Sequence, residues 1–169
     1  MAAINYRYST QAIYPAPMHD GARAVQFLRM KPAEWNLDAA RIGATGGSAG
    51  ACMSLWIGFH DDLAEADSAD AVRRQSSRLR VMGVNGAQTV LDFRLIRDMI
   101  GDAASRHPAG PKLFGVSLTE LLEGKADRLT RDASPATHLT KDDPPAYLFY
   151  SEARGPLPPG RGIRRWRTS

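Results

Sequence analysis

A short apolar run, a glycine cluster around one serine and a second, longer apolar run follow one another in RIGATGGSAGACMSLWIGFHDDLA. The first run, residues 41–46, predicts a strand, and the second, residues 49–64, is apolar and compatible with a helix. Ser48 stands between them, with Gly46 two residues before it and Gly50 two residues after it. A strand that turns sharply into a helix through G-x-S-x-G exposes the serine hydroxyl at the end of a sheet. The order of these features predicts a βα unit with Ser48 on its turn.

Three interpretations of Ser48 remain open on this pattern alone. As a nucleophile, Ser48 needs a base for its proton, and the backbone N–H of Ala49 at the helix N-terminus would stabilise the oxyanion. As a structural residue, it only caps the helix in a glycine-rich turn. A phosphate-binding loop has less support, because G-x-x-x-x-G-K-[ST] is absent and GATGGSAG matches G-x-G-x-x-G only loosely.

The rest of the chain alternates between strand-like and helix-like segments. Strands are predicted at 3–9, 79–86 and 146–150, a helix at 19–30 with Asp20 as its N-cap, and an irregular helical region at 90–133 with a capping box formed by Ser117 and Glu120. This alternation predicts a three-layer α/β domain with a mostly parallel sheet over residues 1–150. Residues 151–169 form a tail rich in proline, glycine and arginine, for which no regular structure is expected.

The net charge of +4 does not indicate a nucleic-acid partner. Five arginines lie in residues 154–169, which contain no acidic residue, and removing those five positive charges from +4 leaves −1 for the rest of the chain. No apolar run reaches the length of a membrane span, and no signal-peptide pattern is seen at the N-terminus, so we expect a cytoplasmic protein. The single cysteine, Cys52, is expected to be a buried small residue.

Three blocks of sequence resemble one known family in order and spacing. They are NYRYSTQAIYPAPMHDGARAVQFLR, NLDAARIGATGGSAG and SPATHLTKDDPPAYLFY. These blocks resemble the α/β-hydrolase fold, and more narrowly the esterase/lipase branch related to hormone-sensitive lipase and the bacterial carboxylesterases. In that branch a Y-R strand precedes a proline-containing loop, D-x-x-R-I introduces a G-x-S-A-G elbow, and an S-P pair followed by P-P leads into a later strand.

The resemblance implies a serine esterase that hydrolyses short-chain carboxylic esters through an acyl-enzyme on Ser48. It implies a small-molecule ester as the partner, and neither a cofactor nor a metal is assigned. The elbow glycines would be Gly46, Gly47 and Gly50, and residues 90–133 would correspond to a cap-like region.

The sequence departs from the family in its oxyanion and acid positions. The family carries H-G-G before the Y-R strand, and this chain has no such block. Arg154 stands where the triad acid is expected, and Glu152 is the nearest carboxylate. We therefore expect a partial fold that lacks the first strands and the last strand, truncated at both ends, with weak activity. The alternative is a non-catalytic remnant of such an esterase that folds and oligomerises without turnover.

None of the four histidines occupies the family's position for the catalytic base. His60 follows Ser48 by twelve residues, about 18 Å along a helix, which is too far for proton transfer. His138 is expected to run toward the bottom of the sheet, whereas His19 is expected at the active-site edge, where it begins a helix. His107 lies in the cap-like region. Each of the last three is only a weak candidate for the base.

A missing strand has a consequence for assembly. In the family's sheet, the strand that bears H-G-G lies between the Y-R strand and the elbow strand. Strand 3–9 would then lack its neighbour, and strand 41–46 would have a bare edge that invites pairing with another chain. The sequence therefore predicts a homo-oligomer, with internal re-pairing of 3–9 and 41–46 as the alternative.

Overall fold

The computed structural model of the chain describes residues 1–101 and 108–151. Its elements are α1 (Ala16–Met30), β1 (Ala44–Gly47), α2 (Ala49–Phe59), β2 (Met82–Asn85), α3 (Phe93–Ile100), α4 (Ala109–Phe114), α5 (Leu118–Leu122), α6 (Asp127–Ala133), a 3-10 turn (Pro135–Thr137) and β3 (Ala146–Phe149). His107, Glu152, Arg154 and all of the predicted tail after Ser151 lie outside the described residues.

The three strands form one parallel sheet in the order β1-β2-β3. This arrangement confirms the strands predicted at 41–46, 79–86 and 146–150, although each observed strand has only four residues. Met82 and Val84 of β2 are buried on the face against which α2 packs. The opposite face carries Tyr147 and Phe149, whose side chains are 69% and 49% exposed. The helix–sheet core of the described chain therefore lies on one side of the sheet.

The strand predicted at 3–9 is wrong. Residues 1–8 have no regular structure, and side-chain bonds rather than strand pairing hold them. The Arg7 guanidinium donates to both carboxylate oxygens of Asp20 at 2.8 Å, and the Arg7 N–H donates to one of them at 3.0 Å. A β-prone run needs a neighbouring strand to satisfy its backbone, and no described strand lies beside this one.

The predicted N-cap at Asp20 is also wrong. Helix α1 begins at Ala16, directly after Pro15, and Pro17 occupies its first turn. Proline is favoured there because its missing N–H would have had no partner within the helix. Asp20 lies inside the first half of α1, where its carboxylate is engaged by Arg7.

Helix α2 forms the centre of the core. All of its residues from Ala51 to Gly58 are buried, and Leu55 and Trp56 are at most 1% exposed. Gly21 of α1 lies so close to α2 that an added Cβ would come within 2.5 Å of the Met53 Sδ. The helix ends at Phe59 rather than at residue 64, because His60 adopts an extended backbone.

The region 90–133 is helical but broken, as predicted for its described part. Helices α3 to α6 are each eight residues or shorter. The capping box is confirmed: the Ser117 hydroxyl accepts from the Glu120 N–H, and the Glu120 carboxylate accepts from the Ser117 N–H at 2.9 Å. Within the described ranges, no helix combines the length and apolarity needed to cross a membrane.

Candidate active site

Ser48 lies on a sharp turn between β1, which ends at Gly47, and α2, which begins at Ala49. Its backbone angles are φ 50° and ψ −116°, and its side chain is exposed. A positive φ is sparsely populated for residues with a Cβ and costs on the order of 1–3 kcal/mol. The predicted strand–turn–helix placement of Ser48 is therefore confirmed, and the structure adds that its backbone is strained.

The three glycines around Ser48 differ in how much space the structure leaves for a side chain. A Cβ on Gly46 would come within 2.6 Å of the carbonyl carbon of Gly50, so the strand can approach the helix only without a side chain there. A Cβ on Gly47 would come no closer than 3.9 Å to the Asn85 carbonyl, and a Cβ on Gly50 would meet nothing within 4 Å. Of the three predicted elbow glycines, Gly46 alone shows a close approach that a side chain would prevent.

The N-terminus of α2 presents amide groups beside Ser48. The Cys52 N–H donates to the Ser48 carbonyl at 3.0 Å, which closes the first turn of the helix. The amide of Ala49, at the first helical position, has no carbonyl of its own helix to bond. Such an amide at the positive end of the helix dipole suits a developing oxyanion. Cys52 itself is buried, as predicted, and burial raises the pKa of its thiol to about 12.

The described histidines lie together at a distance from Ser48. His60 directly follows α2, and its ring centroid is 4.2 Å from that of Trp56 and 4.6 Å from that of His138. Trp56 follows Ser48 by eight residues of helix, which corresponds to about 12 Å. In the described part of the chain, no histidine hydrogen-bonds to the Ser48 hydroxyl, so the catalytic base is not identified there.

The expectation for His19 needs correction. This residue does not begin a helix, since α1 starts three residues earlier, at Ala16. Its ring centroid lies 6.1 Å from that of Trp56, which His60 also contacts. Partial burial, and then the charge of His60, lower the pKa of His19 below its ordinary value.

A cluster that sequence reasoning missed brings Asp132 to His60 and His138. The potential ligand atoms of these three side chains all lie within 4.8 Å of one another. The sequence separation of 72 residues between His60 and Asp132 gives no local pattern that would have revealed the cluster. A cavity of about 650 Å³ adjoins Asp132 and His138 rather than Ser48.

The family model BD-FAE matches residues 1–159 of the chain. The chain belongs to the BD-FAE family. This match covers the elbow, the sheet and the helical region between β2 and β3. The resemblance to α/β-hydrolase esterases that the sequence motifs carry is thereby confirmed.

Relatives of this BD-FAE chain include one curated protein and several solved structures. The chain is 28% identical over 175 residues to the "Probable carboxylic ester hydrolase LipM" of Mycobacterium tuberculosis (strain ATCC 25618 / H37Rv), covering 95% of this chain and 36% of LipM. An acetyl ester-xyloside bifunctional hydrolase from Caldicellulosiruptor lactoaceticus superposes with a TM-score of 0.64 at 23% identity, covering 85% of this chain and 46% of that one. The propionate-bound esterase Est2 of the Planctomycetes species Thermogutta terrifontis superposes with a TM-score of 0.59 at 20% identity, covering 85% and 46%.

These superpositions show the fold. The chain has part of an α/β-hydrolase fold, and it spans about a third of LipM and just under half of each of the two structures. The expected partial α/β-hydrolase fold with a parallel sheet is therefore confirmed, and of the three layers expected the described residues show the sheet and the helices on one of its faces.

Proposed function

We propose that this chain carries the nucleophile of a serine esterase that acts on short-chain carboxylic esters. The observation that supports this most directly is the exposed Ser48, held at a positive φ between β1 and the N-terminus of α2. A structural cap does not need a strained backbone, and Ser48 makes no side-chain capping hydrogen bond to α2. Its hydroxyl is therefore available for chemistry.

The proposed reaction passes through an acyl-enzyme. The Ser48 oxygen attacks the ester carbonyl carbon while a base takes its proton, and the negative charge collects on the carbonyl oxygen. The Ala49 N–H donates to that oxygen. The alkoxide then leaves with the proton from the base, and water attacks the acyl carbon to release the carboxylic acid and restore the Ser48 hydroxyl.

The short acyl chain is proposed from the chain's relatives. Thermogutta terrifontis Est2 was solved with propionate and, separately, with butyrate bound. The same esterase was also solved in a form phosphonylated by sarin. An organophosphorus probe is therefore a suitable reagent for testing the serine of this chain.

The position of the histidines favours weak turnover. Since His19, His60 and His138 gather near Trp56, the base must come from outside the described residues, from a partner chain, or from an unconventional group. Serine hydrolases without a triad member retain only about 10³–10⁴-fold acceleration over water. The same observation supports the alternative, a non-catalytic relative that folds and associates without turnover.

Labelling and turnover measured on the same preparations distinguish the esterase from the non-catalytic alternative. The full chain is incubated with a fluorophosphonate and measured by intact mass, and hydrolysis of an activated acetyl ester is followed in parallel. The esterase proposal predicts one adduct and slow ester hydrolysis, both lost in Ser48→Ala. Ser54→Ala is the matched control, because Ser54 lies on the same helix with its hydroxyl bonded to the Gly50 carbonyl.

The labelling and turnover results test the esterase proposal against the non-catalytic alternative. An adduct that persists in Ser48→Ala, or hydrolysis that Ser48→Ala leaves unchanged, contradicts the assignment of Ser48. Absence of both adduct and hydrolysis in a folded wild-type chain supports the non-catalytic alternative. A rate of about 10 s⁻¹ or more, typical of a competent enzyme, would contradict the proposed weak activity.

We also propose that the chain forms a homo-oligomer. Among the described residues, β1 and β3 each pair with β2 alone, so the described sheet has two open edges. The aromatic side chains of Tyr147, Phe149 and Tyr150 are about half exposed or more beside one of these edges. Pairing with a second copy would satisfy the edge and cover apolar surface.

A further inference from the structure

We propose that His60, Asp132 and His138 form a binding site for one divalent transition-metal cation of the Zn²⁺ type. The three residues come from the end of α2, the end of α6 and the segment after the 3-10 turn. Their potential ligand atoms all lie within 4.8 Å of one another. Two imidazoles and one carboxylate are a common set of protein ligands for such cations.

Asp132 is held in place by several hydrogen bonds. Its backbone carbonyl accepts from the Trp56 Nε1–H at 2.9 Å and from His138 Nε2 at 2.6 Å. Its carboxylate Oδ2 accepts from the hydroxyl of the buried Tyr14. The other carboxylate oxygen, Oδ1, lies 4.0 Å from His138 Nε2. One oxygen is therefore fixed by Tyr14, and the other remains beside the histidine.

His60 has a nitrogen that its hydrogen bond leaves for a metal, whereas the nitrogen of His138 nearest to the carboxylate already has a hydrogen-bond partner. His60 Nδ1 lies 3.1 Å from the carbonyl oxygen of Asp61, and donation of its proton there leaves a lone pair on Nε2. His138 Nε2 lies 2.6 Å from the Asp132 carbonyl oxygen and 4.0 Å from Asp132 Oδ1, so a cation in the cluster would replace the carbonyl as the partner of this nitrogen. A ring N–H bonded to a backbone carbonyl, as at His60, is the usual arrangement behind a metal-bound histidine.

The distances between the three ligand atoms are small enough for side-chain rotation to bring these atoms to one cation. Bond lengths near 2.0–2.2 Å separate tetrahedral ligand atoms by about 3.3 Å, so any two of the ligand atoms must approach by at most about 1.5 Å. The side chain of Asp132 is 49% exposed and that of His138 is 19% exposed, and both line the cavity of about 650 Å³. An ion can therefore reach these two side chains from solvent.

The surrounding charges favour a cation that binds nitrogen directly. The cavity is lined by two arginines, Arg128 and Arg131, and by two carboxylates, Asp127 and Asp132, so its charges balance and a cation must be held by direct bonds. Ca²⁺ and Mg²⁺ depend on several oxygen ligands, and this cluster offers one carboxylate. Zn²⁺ bonds strongly to neutral imidazole, so it is the expected occupant, and it would tie the end of α2 to the segment between α6 and β3.

The test uses the full chain without a histidine tag. Calorimetry with ZnCl₂ is expected to show one equivalent bound at micromolar concentration, and CaCl₂ is expected to show none. His60→Gln, His138→Gln and Asp132→Asn are each expected to weaken Zn²⁺ binding at least about 10-fold. His19→Gln is the matched control, since it removes a histidine near the same Trp56 and leaves the three ligands in place.

Tyr14→Phe tests whether the hydrogen bond from Tyr14 to the Asp132 carboxylate contributes to Zn²⁺ binding, and it leaves all three ligands in place. It retains the aromatic ring and removes the hydroxyl that bonds to Asp132, so Zn²⁺ binding is expected to weaken about 10-fold while one equivalent still binds. Circular dichroism of every variant without metal shows whether the fold is retained.

A second readout needs no variant and covers the case in which a substitution prevents folding. Diethyl pyrocarbonate is applied to the wild-type chain with and without Zn²⁺, and modified histidines are located by peptide mass. The proposal predicts protection of His60 and His138 but not of His19. Failure of the folded wild-type chain to bind Zn²⁺, unchanged binding in the two histidine variants, or modification of His60 and His138 that Zn²⁺ does not affect would overturn the site.

Discussion

The backbone N–H of Ser48 donates to the carbonyl oxygen of Asn85 at 3.0 Å. This bond joins the turn after β1 to the last residue of β2, so the elbow is fixed to the neighbouring strand through main-chain atoms. Because the Ser48 side chain takes no part in it, substitutions at residue 48 retain the bond. Their effects on stability and on chemistry can therefore be measured separately.

Ser48→Gly is expected to be more stable than Ser48→Ala by about 1 kcal/mol in free energy of unfolding. Glycine adopts a positive φ without the steric cost of a Cβ, and it also caps helices better than alanine does. Urea denaturation of both variants and of the wild-type chain measures the difference. A Ser48→Gly protein that is less stable than Ser48→Ala would show that the turn at residue 48 is not strained.

Gly46→Ala is expected to lower the free energy of unfolding by about 2 kcal/mol, because its Cβ would overlap the backbone of Gly50. Gly50→Ala is the matched control. A Cβ there meets nothing within 4 Å, and alanine favours the helix, so stability should be unchanged or rise by about 0.5 kcal/mol. Thermal unfolding followed by circular dichroism compares the two. Equal effects would contradict the close approach at Gly46.

Asp20 is expected to make part of the stability pH-dependent. The hydrogen bonds from Arg7, and then its charge, hold the pKa of the Asp20 carboxyl below its usual value. The native state therefore binds this proton less readily than the unfolded chain does. The resulting stability is present above about pH 4, the ordinary carboxyl pKa, and is lost as the pH falls through the lower native value.

The measurement is the midpoint of thermal unfolding of wild type and Asp20→Asn at neutral pH and below pH 3. The wild-type chain should be the more stable at neutral pH, and the difference should shrink in acid. Asp67→Asn, which removes an exposed carboxylate elsewhere, serves as the control. A difference between wild type and Asp20→Asn that stays constant with pH would contradict a role for the ion pair.

Light scattering at micromolar concentration is expected to give a mass above the 18.4 kDa of one chain. The open edges of β1 and β3 and the exposed aromatic groups on β3 are the physical reason. Tyr147→Lys places a charge on the exposed sheet face and should reduce the mass, whereas Tyr8→Lys charges an exposed tyrosine outside the sheet. A monodisperse monomer of the wild-type chain would contradict oligomerisation.

Local signals predicted most of the elbow and part of the helical region. The apolar run, the glycines and the following apolar helix place Ser48 on its turn, because each depends on residues close in sequence. The capping box of Ser117 and Glu120 is equally local and is confirmed. For the same reason, the strands around residues 82–85 and 146–149 were predicted within a few residues of their ends.

The predictions are wrong where contacts between residues far apart in the sequence determine the structure. The β-prone residues 3–9 form no strand, because Arg7 bonds to Asp20 and no described strand lies alongside. Asp20 is a residue type that favours the N-cap, yet the observed N-cap is Pro15, five residues earlier, and Pro17 lies in the first turn of the helix. The cluster of His60 with Asp132 and His138 depends on packing across most of the chain, so no local pattern indicates it.

The pairing of the three strands also affects how the chain folds. Ala44 pairs with Met82, and Met82 pairs with Ala146, so the two ladders join residues 38 and then 64 positions apart. Such non-local pairing slows folding, because long loops must close before the contacts form. During synthesis, β1, the Ser48 turn and α2 emerge well before β3 does. The nascent chain must therefore keep an apolar helix and two short strands from aggregating until β3 leaves the ribosome.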